Sequence, residues 1–519
     1  MRKVRCMSIR LSLIEVIKKS KTVFDLAAEC FCLLDENILN QTDFISRYMD
    51  EYPDREDIEA GNGYRENPNI HSLKEFQRKI IELFETYSPS NYDYRKGKVI
   101  KEVRSLRLEQ YGDLVHNELT IVFSLLAALD CVAAKWEKYR IRSNLGPLNS
   151  ESENAPYLVY FQQGKTISYE LTVAIGRNRS SASGFADVFE GFRFLKRSAI
   201  DRGVGIPQIL CVQSSVKRQR DVPERYKLRA AVIPGIKNDF WKEKQLGGSR
   251  VAVEYIYTAD QVFAQNLIKR IEQAISAGAE FIVLPEYSVS EDTLELLKKE
   301  LARCRVQPDL RDSRLTAVFA GSTWHPDKND NVMYVLDAWG QELGKYYKYS
   351  SFTKSGKGAR KDKTTNVYDI CEGLEHPGGV CNLFSVEDVG CFLPAICRDV
   401  IDGYYTDMLI RIFLPDILIN VAWSPSGKSF LSHYKGYAEH SFVNSILCNG
   451  CGALGRSAKI MGAATMLGKQ GSVASGDTRT MHRDTGKCRT CQNMCGFMVE
   501  LDFAPEKLRH KERIRITAF

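Results

Sequence analysis

The chain has 519 residues, and its 44% hydrophobic and 26% charged content is that of a globular protein too long for one core, which excludes a disordered or fibrous chain. Its net charge of +7, from 72 basic and 65 acidic residues, is modest at this length and permits an anionic partner without implying one. The 15 cysteines lie in apolar segments such as Cys30-Phe-Cys32, Cys131 and Cys211 and follow no small-scaffold spacing, which points to reduced thiols in a cytoplasmic protein.

Met1-Arg-Lys-Val-Arg-Cys-Met7 is basic but lacks a long apolar core and a small-residue cleavage site, so no export signal is expected. Residues 8 to 35 read as helix. Ser72-Leu-Lys-Glu75 reads as a capping box opening a helix that carries Phe76, Ile80, Leu83, Phe84 and Tyr87. A third helix is expected from Leu114 to about Arg140. Its apolar stretch, Leu119 to Ala134, contains Asp130 and falls short of a membrane span of about 18–20 residues. Asn144 to Pro156 is loop-like. Ile167, Tyr169, Leu171 and Val173 then alternate with polar residues, predicting a strand paired with Tyr157 to Phe161 across the turn at Gly164. Ser214 to Arg225 reads as an exposed connector, and Leu228 to Ile233 as a strand of open ownership. The organisation expected is a helical region 1–150, a mixed α/β segment and connector 151–226, and a domain 227–519 with its core from about residue 249. The first half lacks the acidic pair of a polymerase palm and reads as a regulatory or assembly region.

Further along, Arg250 to Ile256 reads as a strand, followed by a helix carrying Asn266, Leu267, Ile271 and Ala274. Gly278-Ala-Glu turns the chain into Phe281-Ile-Val-Leu-Pro-Glu286. Leu315 to Gly321 is a further strand, and Asn331 to Leu336 with Trp339-Gly340 forms a hairpin leading to Gly344-Lys-Tyr-Tyr-Lys348. Leu393-Pro-Ala-Ile-Cys397-Arg-Asp399 follows, then the strand from Pro415 to Trp423 and a helix around His433. Glu286, Lys348 and Cys397 each end a run that reads as a buried strand, so one sheet edge would present a base, a cation and a nucleophile. A thiol with an ordinary pKa of roughly 8.5 attacks an amide or nitrile carbon only as the thiolate. Glu286, partly desolvated behind its apolar run, would take that proton, and Lys348 would hold positive charge beside the sulfur and the developing oxyanion.

These segments, in this order, resemble the nitrilase or carbon–nitrogen hydrolase superfamily over about half the chain, from near Ser249 onward. The resemblance implies an α/β fold, a four-layer α-β-β-α sandwich behind a mainly helical to mixed α/β N-terminal region. It implies hydrolysis of a non-peptide carbon–nitrogen bond in an amide, nitrile or carbamoyl substrate through a thioester on Cys397, with no cofactor. It also implies an oxyanion donor in the backbone N–H of Arg398, a pocket closed by the strand ending at Trp423, a substrate-positioning glutamate at Glu372 or Glu375, and homo-oligomers paired through helices. Arg398 stands where the family commonly has an aromatic residue, and no Pro-Glu follows Asp399, which leaves the substrate open. Acyl transfer to an amine needs the same three residues. A catalytically altered binding or regulatory protein, for example in a multi-component bacterial defence system, would keep the fold.

Three other signals compete. Ala422-Trp-Ser-Pro-Ser-Gly427-Lys428-Ser429 fits a permissive phosphate-loop pattern, but Pro425 sits inside it and no magnesium-binding strand accompanies it. Cys448, Cys451, Cys488 and Cys491, with His482 and Cys495 nearby, have paired thiolate spacing suited to zinc, yet the pairs are separated by more than the roughly 15–20 residues usual for such sites. The basic run Thr353 to Lys363 is by default a solvated loop; beside Arg398 it would suit an anionic substrate, and with residues 217–229 a nucleic acid, although interleaved aromatics are missing.

Overall fold

The computed structural model describes residues 9–38, 40–51, 69–85, 95–109, 114–143, 157–161, 189, 191–196, 206–217, 226–235, 241–247, 250–255, 261–310, 313–325, 327–354, 369–372, 381–402, 404–453, 456–457, 459–470, 473–482, 495–505 and 513–519. The chain divides into two units, one of Met1–Lys165 and Gly176–Arg202, the other of Thr166–Ile175 and Gly203–Phe519.

The first unit holds helices α1 (Ile9–Lys19), α2 (Val23–Asn37), α3 (Gln41–Glu51), α4 (Ile70–Glu85), α5 (Lys96–Ser105) and α6 (Leu114–Ser143), with strands β1 (Tyr157–Phe161) and β2 (Phe192–Lys196). The helix expected over residues 8–35 is split at Ser20, because Thr22 caps α2: its hydroxyl accepts from Asp25 N while the Asp25 carboxylate accepts from Thr22 N. Such a cap contributes about 1 kcal/mol. The motif at Ser72 does not start α4, which begins two residues earlier; Asn69 precedes it and exchanges hydrogen bonds with the backbone of Glu109. The window His116–Ala133 on α6 does reach 18 residues, long and apolar enough to cross a membrane, but 83% of it is buried inside the unit. Leu119, Val122, Phe123, Leu126 and Leu129 form a core with Phe24, Phe31, Phe44, Ile80 and Phe84. Asp130, the charge inside that stretch, accepts from Gly191 N at 2.9 Å and Phe192 N at 2.7 Å, so it anchors β2. The partner of β1 is β2, antiparallel; the strand expected at 167–173 lies outside the described residues.

The second unit continues with β3 (Gln208–Val212), β4 (Lys227–Val232), β5 (Trp241–Gly247), β6 (Arg250–Tyr255), α7 (Gln261–Ser276), β7 (Phe281–Val283), α8 (Glu291–Val306), β8 (Ala317–His325), β9 (Asp330–Asp337) and β10 (Glu342–Tyr347). Then come β11 (Thr353–Lys354), β12 (Asp369–Glu372), β13 (Asn382–Val386), β14 (Gly390–Ile396), α9 (Tyr404–Phe413), β15 (Ile417–Ala422), α10 (Lys428–His440), β16 (Asn444–Asn449), β17 (Gly452–Ala453), β18 (Arg456–Ser457), β19 (Ile460–Gln470), β20 (Val473–His482), β21 (Phe497–Asp502) and β22 (Ile514–Ala518). One seven-stranded sheet runs β10-β9-β8-β7-β4-β21-β22 and a second runs β20-β19-β16-β15-β14-β13-β3. A four-stranded sheet, β11-β12-β6-β5, and the ribbon β17-β18 stand apart.

Period-two alternation sorts the first sheet. Ala231, Ile282, Val318 and Ala320 face α7 and α8, where they pack with Leu267, Ile271, Leu294 and Leu297. Phe281 and Phe319 face the other sheet, where Phe281 meets Phe392 at 4.8 Å and Phe319 meets Phe384 and Phe392 at 6.2 and 6.1 Å between ring centroids. On the far side of the second sheet α10 packs on β16, β19 and β20. The four layers expected, α-β-β-α, are therefore present. Strands covered on both faces read as near-continuous apolar runs, which is why Phe281 to Leu284 and Ile417 to Ala422, broken only by Asn420, were legible as strands.

Arg250–Tyr255, expected as a strand, pairs with β5 and β12 in the four-stranded sheet. The place beside β7 belongs to β4, which pairs parallel to it, so the strand of open ownership is central. β3, ahead of the expected connector, is an edge of the second sheet.

Candidate active site

Three parallel strands in each seven-stranded sheet, β4, β7 and β8 in one and β14, β15 and β16 in the other, align their C-terminal ends. Glu286 follows β7, Cys397 follows β14 and Trp423 follows β15. Lys348 follows β10, and its N–H donates to the carbonyl of Asn331 at the start of β9.

Glu286 and Lys348 form an ion pair of 2.7 Å with both side chains almost fully buried, at 2% and 1% exposure. Such a pair persists only where further hydrogen bonds offset its lost hydration. Here Asn331 Nδ2 donates to Glu286 Oε1 at 3.0 Å and the backbone N–H of Trp423 donates to Oε2 at 2.9 Å. Trp423 thus enters the site through its backbone, and its ring meets that of Tyr287 edge-on at 5.9 Å. The Tyr287 ring also lies 6.0 Å from the Lys348 ammonium.

The turn that aims Glu286 is fixed by its neighbour strand. Tyr287 adopts φ 57° and donates its N–H to Ser322 Oγ at 3.1 Å. Gly321, in the bulge of β8, has φ +64°, and a Cβ there would lie 2.2 Å from the Pro285 carbonyl oxygen. Only glycine lets the bulge approach this closely.

Cys397 is 7% exposed and begins a 3-10 turn, Cys397–Val400, with φ 49°, a left-handed conformation in a residue that has a side chain. Strain of this kind is retained where surrounding contacts over-determine it. Its N–H donates to Asn420 Oδ1 at 2.9 Å, and Asn420 Nδ2 donates to the Tyr434 hydroxyl at 2.7 Å, which fixes the amide's orientation. Asp399, two residues on, accepts from the N–H groups of Tyr349 and Ser350, the residues directly after Lys348. Cys397 and Lys348 are therefore joined through one carboxylate, and Cys397 and Glu286 through the backbone of β15 from Asn420 to Trp423. Burial pushes the Cys381 thiol up to about 12 and the Cys448 thiol well above the usual range.

The remaining expected residues are placed as follows. The Arg398 side chain turns outward to pair with Asp402 at 2.6 Å. Glu372 sits on β12 of the four-stranded sheet, while its side chain, Glu375 and residues 355–363 of the basic loop lie outside the described residues. A helix does start at Lys428 after a left-handed Gly427, as a phosphate loop requires. Three amides of the segment are committed elsewhere: Trp423 N to Glu286, Ser424 N to Asn449 and Lys428 N to Ser426 Oγ. Cys448 and Cys451 are buried beside the backbone of Ile233 and Pro234, while Cys488 and Cys491 fall outside the described residues. Among the described residues no group of three or more His, Cys, Asp or Glu side chains could hold a metal. Two cavities, about 370 Å³ against α9 and α10 and about 670 Å³ against α7 and α8, lie on the outer helices away from these residues.

Asn331, Asn420 and Tyr287 carry no motif of their own. Their signal was position, at a strand start, in a strand interior and directly after Glu286.

No protein-family model matches the sequence, and no curated protein matches it. Among solved structures, Nit3 of Saccharomyces cerevisiae, a member of the nitrilase superfamily, is similar to 51% of this chain over 94% of its own, with 13% identity and a TM-score of 0.32. The NitN amidase of Neterenkonia sp. AN1 is similar to 51% over 96% of its own chain, with 13% identity and a TM-score of 0.31. A variant of the amidase from Nesterenkonia sp. AN1, in which the acetamide moiety of fluoroacetamide is bonded to the active-site cysteine, is similar to 50% over 95%, with 13% identity and a TM-score of 0.30.

Proposed function

We propose that the second unit hydrolyses a non-peptide carbon–nitrogen bond, of the amide, nitrile or carbamoyl class, through a thioester on Cys397. The observation that carries this reading is the buried Glu286–Lys348 pair on one sheet, tied through the Asp399 carboxylate to a left-handed cysteine on the other, in place of the single sheet edge expected. A packing cysteine has no need of that conformation, and a packing carboxylate no need of a buried ammonium.

In an amide reaction, Glu286 takes the thiol proton and the sulfur of Cys397 attacks the carbonyl carbon. Negative charge on the oxygen is met by the Lys348 ammonium and by the backbone N–H of Arg398. Glu286 returns the proton to the leaving nitrogen, the C–N bond breaks, and ammonia or an amine departs. A water then gives a proton to Glu286 and attacks the thioester. The acid leaves and the proton returns to sulfur, so one water is consumed per bond broken. The aromatic surround of Tyr287 and Trp423 and the 7% exposure of Cys397 favour a small acyl group. We assign the first unit to regulation or assembly of homo-oligomers.

Ammonia release from a panel of small amides and carbamoyl compounds tests this, with intact-mass detection of an acyl adduct. Cys397→Ala abolishes release and adduct, and Glu286→Gln slows both by at least about 100-fold, the usual scale of a lost general base. Release that survives Cys397→Ala refutes the reading.

A further inference from the structure

Asp399 is 2% exposed and belongs to neither the attacking nor the proton-transferring set. Its Oδ1 accepts from Tyr349 N at 2.9 Å and Ser350 N at 2.6 Å, and its Oδ2 from Ile396 N at 3.3 Å. Tyr349 and Ser350 continue the chain beyond β10 of the first sheet, and Ile396 ends β14 of the second. One carboxyl thus ties the backbone after Lys348 to the backbone before Cys397, across the two sheets. Its own carbonyl accepts from Thr406 Oγ1 at 2.8 Å, which fastens the turn to α9.

We propose that Asp399 is a positioning residue that seats the Lys348 segment against the Cys397 turn and thereby sets the reactivity of Cys397. The proposal deepens the hydrolase reading and rests on it.

The groups facing Asp399 come from each element around it: Lys348 after β10, Tyr346 within β10, Cys381 before β13 and Tyr405 on α9. Tyr405 also stacks on Tyr349 at 3.9 Å, so the clamped segment is held by a ring as well as by the carboxyl. Burial pushes the Asp399 carboxyl up to about 7, against the attraction of Lys348 and the three N–H groups, while burial drives the facing phenols and thiol upward and keeps them neutral. A proton on Asp399 therefore favours the seated segment. As pH rises, ionisation favours any opening that hydrates the carboxylate. For one proton, linkage sets the limit of that effect at about tenfold per pH unit between the ordinary carboxylate value of 3.8 and about 7, above which both states are ionised and the effect levels off.

Hydrogen exchange on the full chain, read at Tyr349 and Ser350 from pH 5.5 to 8.5 and corrected for intrinsic rates, tests the clamp alongside iodoacetamide labelling of Cys397. In the native protein, protection of the two amides falls by up to about tenfold per pH unit from about pH 5.5 to 7 and levels off above about 7. In Asp399→Asn the dependence is flat, and Cys397 labelling loses a step near pH 7 that the native profile shows. Native protection that is level across this range overturns the proposal without reference to any variant. So does an Asp399→Asn labelling profile that differs from the native one by a constant factor, since that marks a scaffold role alone. Should Cys397→Ala retain amide hydrolysis, the hydrolase reading falls, while the exchange data still decide whether Asp399 seats the segment.

Discussion

The Glu286–Lys348 pair makes the sharpest energetic prediction, and it concerns non-additivity. Lys348→Met leaves the Glu286 carboxylate 2% exposed, with the Asn331 and Trp423 donors and no cation. Glu286→Gln leaves the ammonium without its anion, although the amide oxygen still accepts from Asn331 or Trp423. Removing one member of a buried pair costs about 3–5 kcal/mol, because the other charge stays desolvated. Combining the substitutions removes both charges, so the double variant is expected to lose about 2–4 kcal/mol less than the sum of the single losses. With two units in the chain, a single unfolding midpoint is not a defined quantity. Urea-dependent hydrogen exchange in peptides from β7 and β8 isolates the free energy of the relevant unit. If each single variant cost less than about 1 kcal/mol and the two added within about 0.5 kcal/mol, the pair would be hydrated and the desolvation argument wrong.

Two further outcomes follow. Gly321→Ala places a Cβ 2.2 Å from Pro285 O and 2.4 Å from Ser288 Oγ at φ +64°, so it should cost at least about 2 kcal/mol in the same exchange assay and alter Cys397 labelling through the displaced Glu286 turn; native-like values for both would show that the bulge can shift without cost. Asp399 has a folded value of about 7 against an ordinary 3.8, so its contribution is fully present below about pH 4 and is lost as pH rises to 7. The difference corresponds to about 4 kcal/mol, and Asp399→Asn should gain on the native protein by roughly that amount between pH 4 and 8. A gap between the two that stays constant with pH would contradict the assignment.

Glu286 and Cys397 could be read from the chain because each follows an apolar run, and a strand covered on both faces writes its end into the sequence; Lys348 follows an alternating edge strand and was legible only from the order of the motifs. What holds them could not. Asn331 reaches Glu286 across 45 residues, Trp423 across 137, and Asp399 reaches Tyr349 across 50; no local pattern encodes such distances. The ownership of Lys227–Val232 was hidden for the same reason. Arg250–Tyr255 and Lys227–Val232 have similar strand propensity, and only pairing with β7 decides between them. In the first unit, Ser72 had the local chemistry of a cap, yet α4 starts after Asn69, whose side chain is anchored at Glu109. Asp130 was read as an interruption of an apolar helix; its acceptors for Gly191 and Phe192 explain its presence.

The pairing of β4 with β21 carries a consequence for the order of assembly. β4 lies between β7 and β21, and Arg229 reaches Glu500 over 271 residues of sequence. At about 5–20 residues per second of synthesis, roughly 15–50 s separate the appearance of these partners. Throughout that interval one edge of β4 waits unpaired, a template for any other strand. The sheet that positions Glu286 can nucleate early from β4, β7 and β8, but it closes only when β21 arrives. A ribosome stalled beyond Cys397 would therefore display a chain with Cys397 and Glu286 made and the Glu286 sheet still open, a substrate for chaperones.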